Sequence, residues 1–480
     1  MSKPLIAVLG DPCLDHYVFG QEQRLNPEGG GPLLDVQATD TRPGGALNLA
    51  ANIAALCPLA NVVFIGGLSA APPCVCPGVD FGAYALPQPQ LYLAKTRFYS
   101  GGNAAVLRVD DRPRYPDGVG SLVYEQLARF LSQHQPQLVA VADYNKGCVS
   151  DSSQRLLSQL AALGTPVLVD SRPATMAGYE HCLLKPNAKE ARQYLAGCVH
   201  PAAASHDAEE LAMVMLQQLP TVRAVVCTNG SAAAGIAHRF PGGPATHRAA
   251  VFCTSRVQAS PVGAGDVFLA ALASRLALDP APYQQLPAAA EYAAAAAAVS
   301  VDTLGTVIVP LHAARAEWVR ADLRRKVLAD AELISWAYSV RASGKQLVLA
   351  NGCFDVLHAG HMELLRFAKS RGDVLLVAAN TDASVTALKG ADRPRVPQQV
   401  RAEQLAALGC VDAVTLFDGN VTALVAATGP TVLVKGGDYA NTPPEQIGGY
   451  AQLAALGGRV EYGPYVAGFS TTALVAHHGG

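Results

Sequence analysis

Apolar residues along the chain fall into short continuous runs, separated by longer stretches in which they recur every third or fourth position. The runs "LIAVLGD" (5–11), "VVFIGG" (62–67), "LVAVADY" (138–144), "PVLVDSRP" (166–173) and "AVVCTNG" (224–230) end at or just past Gly, Asp or Asn. Runs this short, with little polar alternation, fit strands covered on both faces, and the intervening pattern fits helices. Strand and helix in alternation predict an α/β fold around a mainly parallel sheet. Ligands in such sheets lie beyond the carboxyl ends of the strands, where the polar closing residues sit.

The pattern breaks at 311–345, which is charged and helical with no strand-like run. It then restarts with "QLVLANGCFD", "VLLVAAN", "AVTLF", "TVLVKGGD" and "RVEYGPY". We therefore expect a first domain at 1–315, a helical linker at 316–343 and a smaller Rossmann-like domain at 344–480.

Composition narrows the function classes. Of the 480 residues, half are apolar and 15% charged, with a formal net charge of -2. That balance argues against a broad nucleic-acid-binding surface. The opening "MSKPLIAVLGD" reads as a buried strand and not as a secretory signal. The most apolar stretch, "AAAEYAAAAAAVSV" (288–301), carries Glu291 and is too short to span a bilayer; its alanines predict a buried helix. The eleven cysteines are scattered, and the one close pair, Cys74 and Cys76, lacks a companion pair. Reduced thiols in a cytoplasmic enzyme are the expectation.

Two stretches carry phosphate chemistry. "QLVLANGCFDVLHAGHMELL" (346–365) reads as strand, glycine turn and helix. His358 and His361 lie one turn apart at the helix amino terminus, where free N–H groups and the dipole favour phosphate. Gly360 between them lets a nucleotide approach the backbone. The pair could instead ligate a metal, with Asp355 as the one nearby candidate for a third ligand. In "ASPVGAGDVFLAALASRLAL" (259–278), Gly263, Ala264 and Gly265 can present backbone N–H groups to a developing phosphate charge, with Asp266 placed to take a proton. Taken alone, the same turn could be merely a helix cap.

The first of these stretches resembles the H-x-G-H motif of the cytidylyltransferase-like nucleotidyltransferases. "NTDASVTALKGADRPRVPQQVRAEQL" (380–405), "VKGGDY" (434–439) and "GFSTTAL" (468–474) are similar to later motifs of that family. The resemblance implies that His358 and His361 stabilise the transition state at the α-phosphorus. Gly352, Phe354, Lys389, Arg401, Ser470, Thr471 and Thr472 would then serve as nucleotide or phosphate contacts.

The first block resembles the ribokinase-like carbohydrate kinases over 5–310. The motifs are "GDPCLDHYVFG" (10–20), "TRPGGALNLAANIAAL" (41–56), "LLKPNAKEA" (183–191), "TNGSAAAG" (228–235) and the G-A-G-D turn. The resemblance implies Asp266 as general base and Gly263, Ala264 and Gly265 as anion hole. Asn187, Ala188, Lys189 and Glu190 would serve ATP, with Asn187 and Glu190 ordering Mg2+ indirectly. Asp15, Gly44, Gly45 and Asn48 would hold the sugar, with the 288–301 helix flanking adenine.

Both blocks in this order, with "DYNKG" (143–147) and "LKGADRPRV" (388–396), resemble a family of bifunctional bacterial enzymes. That family phosphorylates D-glycero-β-D-manno-heptose 7-phosphate at O1 and adenylylates D-glycero-β-D-manno-heptose 1-phosphate to ADP-heptose, for lipopolysaccharide core. Expected ligands are ATP, Mg2+ and sugar phosphates, in a homodimer formed through the kinase domain. Lys146, Arg97 and Arg108 are candidate partners of the 7-phosphate. The chain departs from the kinase pattern at Ser260, Pro261 and Val262, which leaves monovalent-cation dependence open. Another sugar phosphate, or a degenerate kinase serving as a dimerisation scaffold, are the alternatives.

Overall fold

The computed structural model describes residues 3–25, 32–68, 72, 74, 76–82, 93–101, 105–110, 114–240, 243–249, 260–279 and 282–464. The chain forms two compact units, residues 1–318 and 319–480. Among the described residues, no helix is long and apolar enough to cross a membrane.

The first unit is built on a nine-stranded sheet. Strand Leu5–Gly10 lies between Asn61–Gly66 and Leu138–Asp143, in parallel register with both. Beyond Leu138–Asp143 come Val167–Ser171, Leu183–Leu184 and Ala224–Asn229, all parallel. Two antiparallel strands, Ala232–Phe240 and Gly243–Ala249, finish that side. The apolar runs are continuous because both faces are covered. Ile6 and Val8 join one core with helices Ala46–Leu56, Ala264–Leu276 and Leu286–Val301. Ala7 and Leu9 join the other, with helices Val119–Gln133, Asp151–Ala162, Ala188–Gly197 and Ala208–Gln218.

A second sheet in this unit has four strands, in the order Pro32–Gly45, Pro12–Leu25, Leu93–Ser100 and Ala105–Asp110. The sequence pattern does not predict it. The long strand Pro12–Leu25 pairs with Pro32–Gly45, with register shifts at Phe19/Gly20 and Glu22/Arg24. It is tied to the loop after helix Leu286–Val301 by Tyr17, whose hydroxyl accepts from Thr306 N–H at 2.8 Å. Arg42 reinforces this contact by donating to the carbonyls of Leu304 and Thr306.

The second unit holds a five-stranded, all-parallel sheet in the order Ala413–Phe417, Val374–Asn380, Leu347–Gly352, Val432–Lys435, Arg459–Tyr462. Strand order reverses at Leu347–Gly352, which places a ligand crevice at its carboxyl end. The stretch expected as a linker is helical, Leu311–Lys326 and Asp330–Ala342. The second of these helices is no free connection. Its Leu333 and Ala337 are buried with Leu347 and Leu349 in the core of the second unit.

Candidate functional sites

In the first unit a cavity of about 510 Å³ opens at the carboxyl ends of the parallel strands. That is the size of a nucleotide or sugar site. Asp15, Gly45, Asn187, Glu190, Gly263 and Asp266 line it. Ala294, Ala297, Ala298 and Val301 of the alanine-rich helix form an apolar wall, opposite no charged side chain of their own helix. Thr228 to Ser231 complete that end.

Asp266 sits in the first turn of helix Ala264–Leu276, whose cap Gly263 has φ 81°. A Cβ at Gly263 would lie 2.9 Å from Asn48 Nδ2 and 3.0 Å from Thr306 Cγ2, so glycine answers both the conformation and the space. The Ala264 N–H donates to Pro261 O at 3.4 Å. Ser260 is buried, and its Oγ accepts from Val262 N–H at 3.2 Å, so the altered turn is internally held. Asp266 is itself buried and accepts from Asn48 Nδ2 at 3.0 Å and from the Tyr144 hydroxyl. Burial pushes its carboxyl above the usual range, while those two donors and the charges of Lys185 and Lys95 pull it back.

Asn187 and Glu190 form a capping box. Asn187 Oδ1 accepts from Glu190 N–H at 2.9 Å, and Glu190 Oε2 accepts from Asn187 N–H at 3.0 Å. Glu190 Oε1 accepts from Arg172 at 2.6 Å. Lys189 and Asn187 are exposed, and Ala188 is buried at the start of the helix. No group of three or more His, Cys, Asp or Glu among the described residues is arranged to hold a metal. This donor set fits Mg2+ bound through water and phosphate oxygens, its ordinary mode.

Gly44 packs hard against Asp15: a Cβ there would lie 2.3 Å from Asp15 Oδ2. Asp15 is buried and takes Arg97 Nη1 at 2.5 Å. Arg97 gives Nη1 to Asp15 and also lines the main cavity. Arg108 is half-exposed and pairs with Asp110 at 2.7 Å. It lines a second cavity of about 150 Å³, together with Lys95, Lys146, Arg172 and Tyr144.

Sequence reasoning missed several residues of this region, Lys95 of both cavities among them. Lys185 and Asp170 form a buried ion pair at 3.0 Å beside Gly265. Burial raises the Asp170 carboxyl to about 6 against the pull of Lys185. Tyr144 and Arg172 stand between the two cavities. Their one signal was position, immediately after the strands Leu138–Asp143 and Val167–Ser171.

In the second unit, His358 caps helix Ala359–Lys369 and its ring stacks on that of His361, centroids 3.8 Å apart. Nδ1 of each ring is buried with no hydrogen-bond partner among the described residues. Burial, then the neighbouring His358 and Lys389 charges, lowers His361 to about 4; burial and Lys389 lower His358 as well. Phe354, at φ 46°, is buried with its ring 5.2 Å from His361 and beside Gly352. Lys389 is exposed at the end of helix Asp382–Lys389. Lys435, unassigned by sequence, donates to Asn351 Oδ1 at 3.1 Å and lies over Tyr439.

Two expectations change here. Asp355 accepts from the N–H groups of Arg395 and Val396 and pairs with Arg393, so it braces a loop and is not a third metal ligand. Arg401 is fully buried. Its guanidinium is divided among Val396 O, Cys353 O and Asp382 Oδ1, so it is a brace and not a phosphate contact. Ser470, Thr471 and Thr472 lie outside the described residues.

Comparison with known proteins accords with the two sites. A family model described as pfkB family carbohydrate kinase matches residues 126–313, and one described as Cytidylyltransferase-like matches 349–476. Escherichia coli phosphofructokinase-2 in complex with potassium aligns at 17% identity and a TM-score of 0.49, over 66% of this chain and 99% of that chain. Bifunctional protein HldE of Halorhodospira halophila is 34% identical over 98% of this chain and 96% of its own length. That of Proteus mirabilis is 33% identical over 99% and 97%. With a sugar-kinase cavity, a paired-histidine nucleotidyltransferase crevice and full-length similarity in one arrangement, the chain belongs to the HldE family of bifunctional proteins.

Proposed function

We propose that the unit 1–318 phosphorylates D-glycero-β-D-manno-heptose 7-phosphate at O1 using ATP, and that the unit 319–480 joins D-glycero-β-D-manno-heptose 1-phosphate to AMP. Asp266 takes the proton of the anomeric hydroxyl as its oxygen bonds the γ-phosphorus and the bond to ADP breaks. The backbone at Gly263, Ala264 and Gly265 faces the charge that develops. Mg2+, when bound, neutralises phosphate charge, and Asn187 and Glu190 would hold it through waters. In the second unit a phosphate oxygen of the sugar attacks the α-phosphorus of ATP and pyrophosphate leaves. The stacked imidazoles donate to the phosphate oxygens, and Lys389 and Lys435 offset their charge. A separate phosphatase removes the 7-phosphate between the two steps. The product serves lipopolysaccharide core, made in the cytoplasm of a Gram-negative cell.

The observation that supports a phosphorylated sugar most directly is the second cavity. Lys95, Arg108, Lys146 and Arg172 line it together with Asp11 and Asp110, Arg108 being paired with Asp110, and so does the Tyr144 that contacts Asp266. The two lysines there, with the arginines beside them, suit a phosphate at the far end of the sugar from the reacting hydroxyl. The chain with ATP and heptose 7-phosphate, followed by phosphorus NMR, should yield an anomeric phosphate signal and ADP. Adenylylation of heptose 1-phosphate without that signal would remove the kinase assignment.

We also read the four-stranded sheet as the surface of a homodimer. Val106, Leu107 and Val109 on one edge strand, and Val36 on the other, are large apolar side chains 46–55% exposed.

A further inference from the structure

Asp266 is held from two sides. Asn48 Nδ2 donates to its Oδ2 at 3.0 Å, and the Tyr144 hydroxyl donates to its Oδ1. A carboxylate has about four acceptor positions, so each oxygen keeps one for a substrate hydroxyl. Tyr144 does not owe its place to this bond alone. Its backbone N–H donates to Asp11 Oδ2 at 2.9 Å, and the same buried carboxylate accepts from Lys146 N–H at 3.1 Å and Cys148 N–H at 3.0 Å. Its ring edge faces Gly45, where a Cβ would approach to 3.4 Å. The Arg172 guanidinium lies 5.1 Å and the Lys95 ammonium 5.9 Å from the ring centre. The phenol is thus fixed before substrate arrives.

We propose that Tyr144 is a positioning residue for phosphoryl transfer, whose hydroxyl sets the plane of the Asp266 carboxylate and keeps it a free proton acceptor. This rests on the reading of Asp266 as the base. A carboxyl so buried, with fewer donors, favours its protonated form and cannot accept a proton. The charged groups facing it are Lys185 and Lys95, which favour ionisation, and Asp170, which opposes it. Arg172 and Glu190 lie one contact further out. Burial and the Asp266 and Asp170 charges hold the phenol well above the usual tyrosine range, so it stays a donor while the base works.

The test is the pH dependence of ADP formation by full-length protein with heptose 7-phosphate. In Tyr144→Phe the acidic limb of kcat should move up by on the order of one pH unit, with activity returning above the new limb. Adenylyl transfer should be unchanged. A chain carrying 3-fluorotyrosine at position 144, a stronger donor of the same shape, should move the limb down; it carries the test alone if the phenylalanine variant does not fold. A uniform loss with an unmoved limb would reduce Tyr144 to packing. Asp266→Asn separates the two readings. If it still phosphorylates, the base assignment fails; if it is inactive while the Tyr144 limbs stay put, only the positioning role fails.

Discussion

At the scale of residues, the two sites respond to different side chains. Asp266→Asn should lower phosphorylation on the order of 10²- to 10⁴-fold, the usual worth of a general base, and spare adenylyl transfer. His361→Ala should do the reverse; both are read by separate assays on one preparation. Gly44→Ala would press a methyl group onto Asp15 and loosen its pairing with Arg97, so the sugar KM should rise with little change in the KM for ATP. His361 also ties stability to pH. Its pKa falls from the ordinary 6.5 to about 4 on folding, so the unfolded state binds more protons between those values. Stability is full above pH 6.5 and is lost as pH falls toward 4. His361→Gln should flatten that part of a urea-midpoint profile for the second unit, and an unchanged profile would remove the histidine from the account.

Elements explain what could be read early and what could not. The parallel strands were legible because burial on both faces leaves an unbroken apolar run, as in "LIAVLG" with Ile6 and Val8 on one side and Ala7 and Leu9 on the other. The four-stranded sheet was illegible. Strand Pro32–Gly45 carries Asp, Thr, Gln and Arg at positions half or fully exposed, so no run or clean alternation marks it. Site residues inside a dense motif, such as Gly263 and Asp266, announced themselves. Tyr144, Asp170 and Lys185 did not, because long-range packing gives each its meaning. Arg401 looked like a phosphate ligand because sequence cannot tell a buried guanidinium from an exposed one. Asn187 is an N-cap that, on the proposed function, would also order Mg2+. As an N-cap it should contribute about 1 kcal/mol, so Asn187→Ala should lower thermal stability of the first unit and weaken Mg2+ dependence together. Asn187→Asp should keep the cap while changing the metal response.

For the whole molecule, the exposed apolar side chains on the four-stranded sheet bear on assembly. Replacing Val106 and Leu107 by lysine should shift sedimentation toward the monomer without unfolding the protein, since neither residue is buried. A second consequence concerns synthesis on the ribosome. Asn48 and its partner Asp266 are separated by 218 positions, and Asn52 closes onto Val307 O and Val309 N–H more than 250 positions away. Arg42 likewise waits for Leu304 and Thr306. At roughly 5–20 residues per second, the first motif is extruded tens of seconds before the stretch that completes it. The nascent chain therefore carries the Arg42–Asn52 segment without its partners for most of the first unit's translation. That interval is when a chaperone would be needed, and slowing elongation would prolong it.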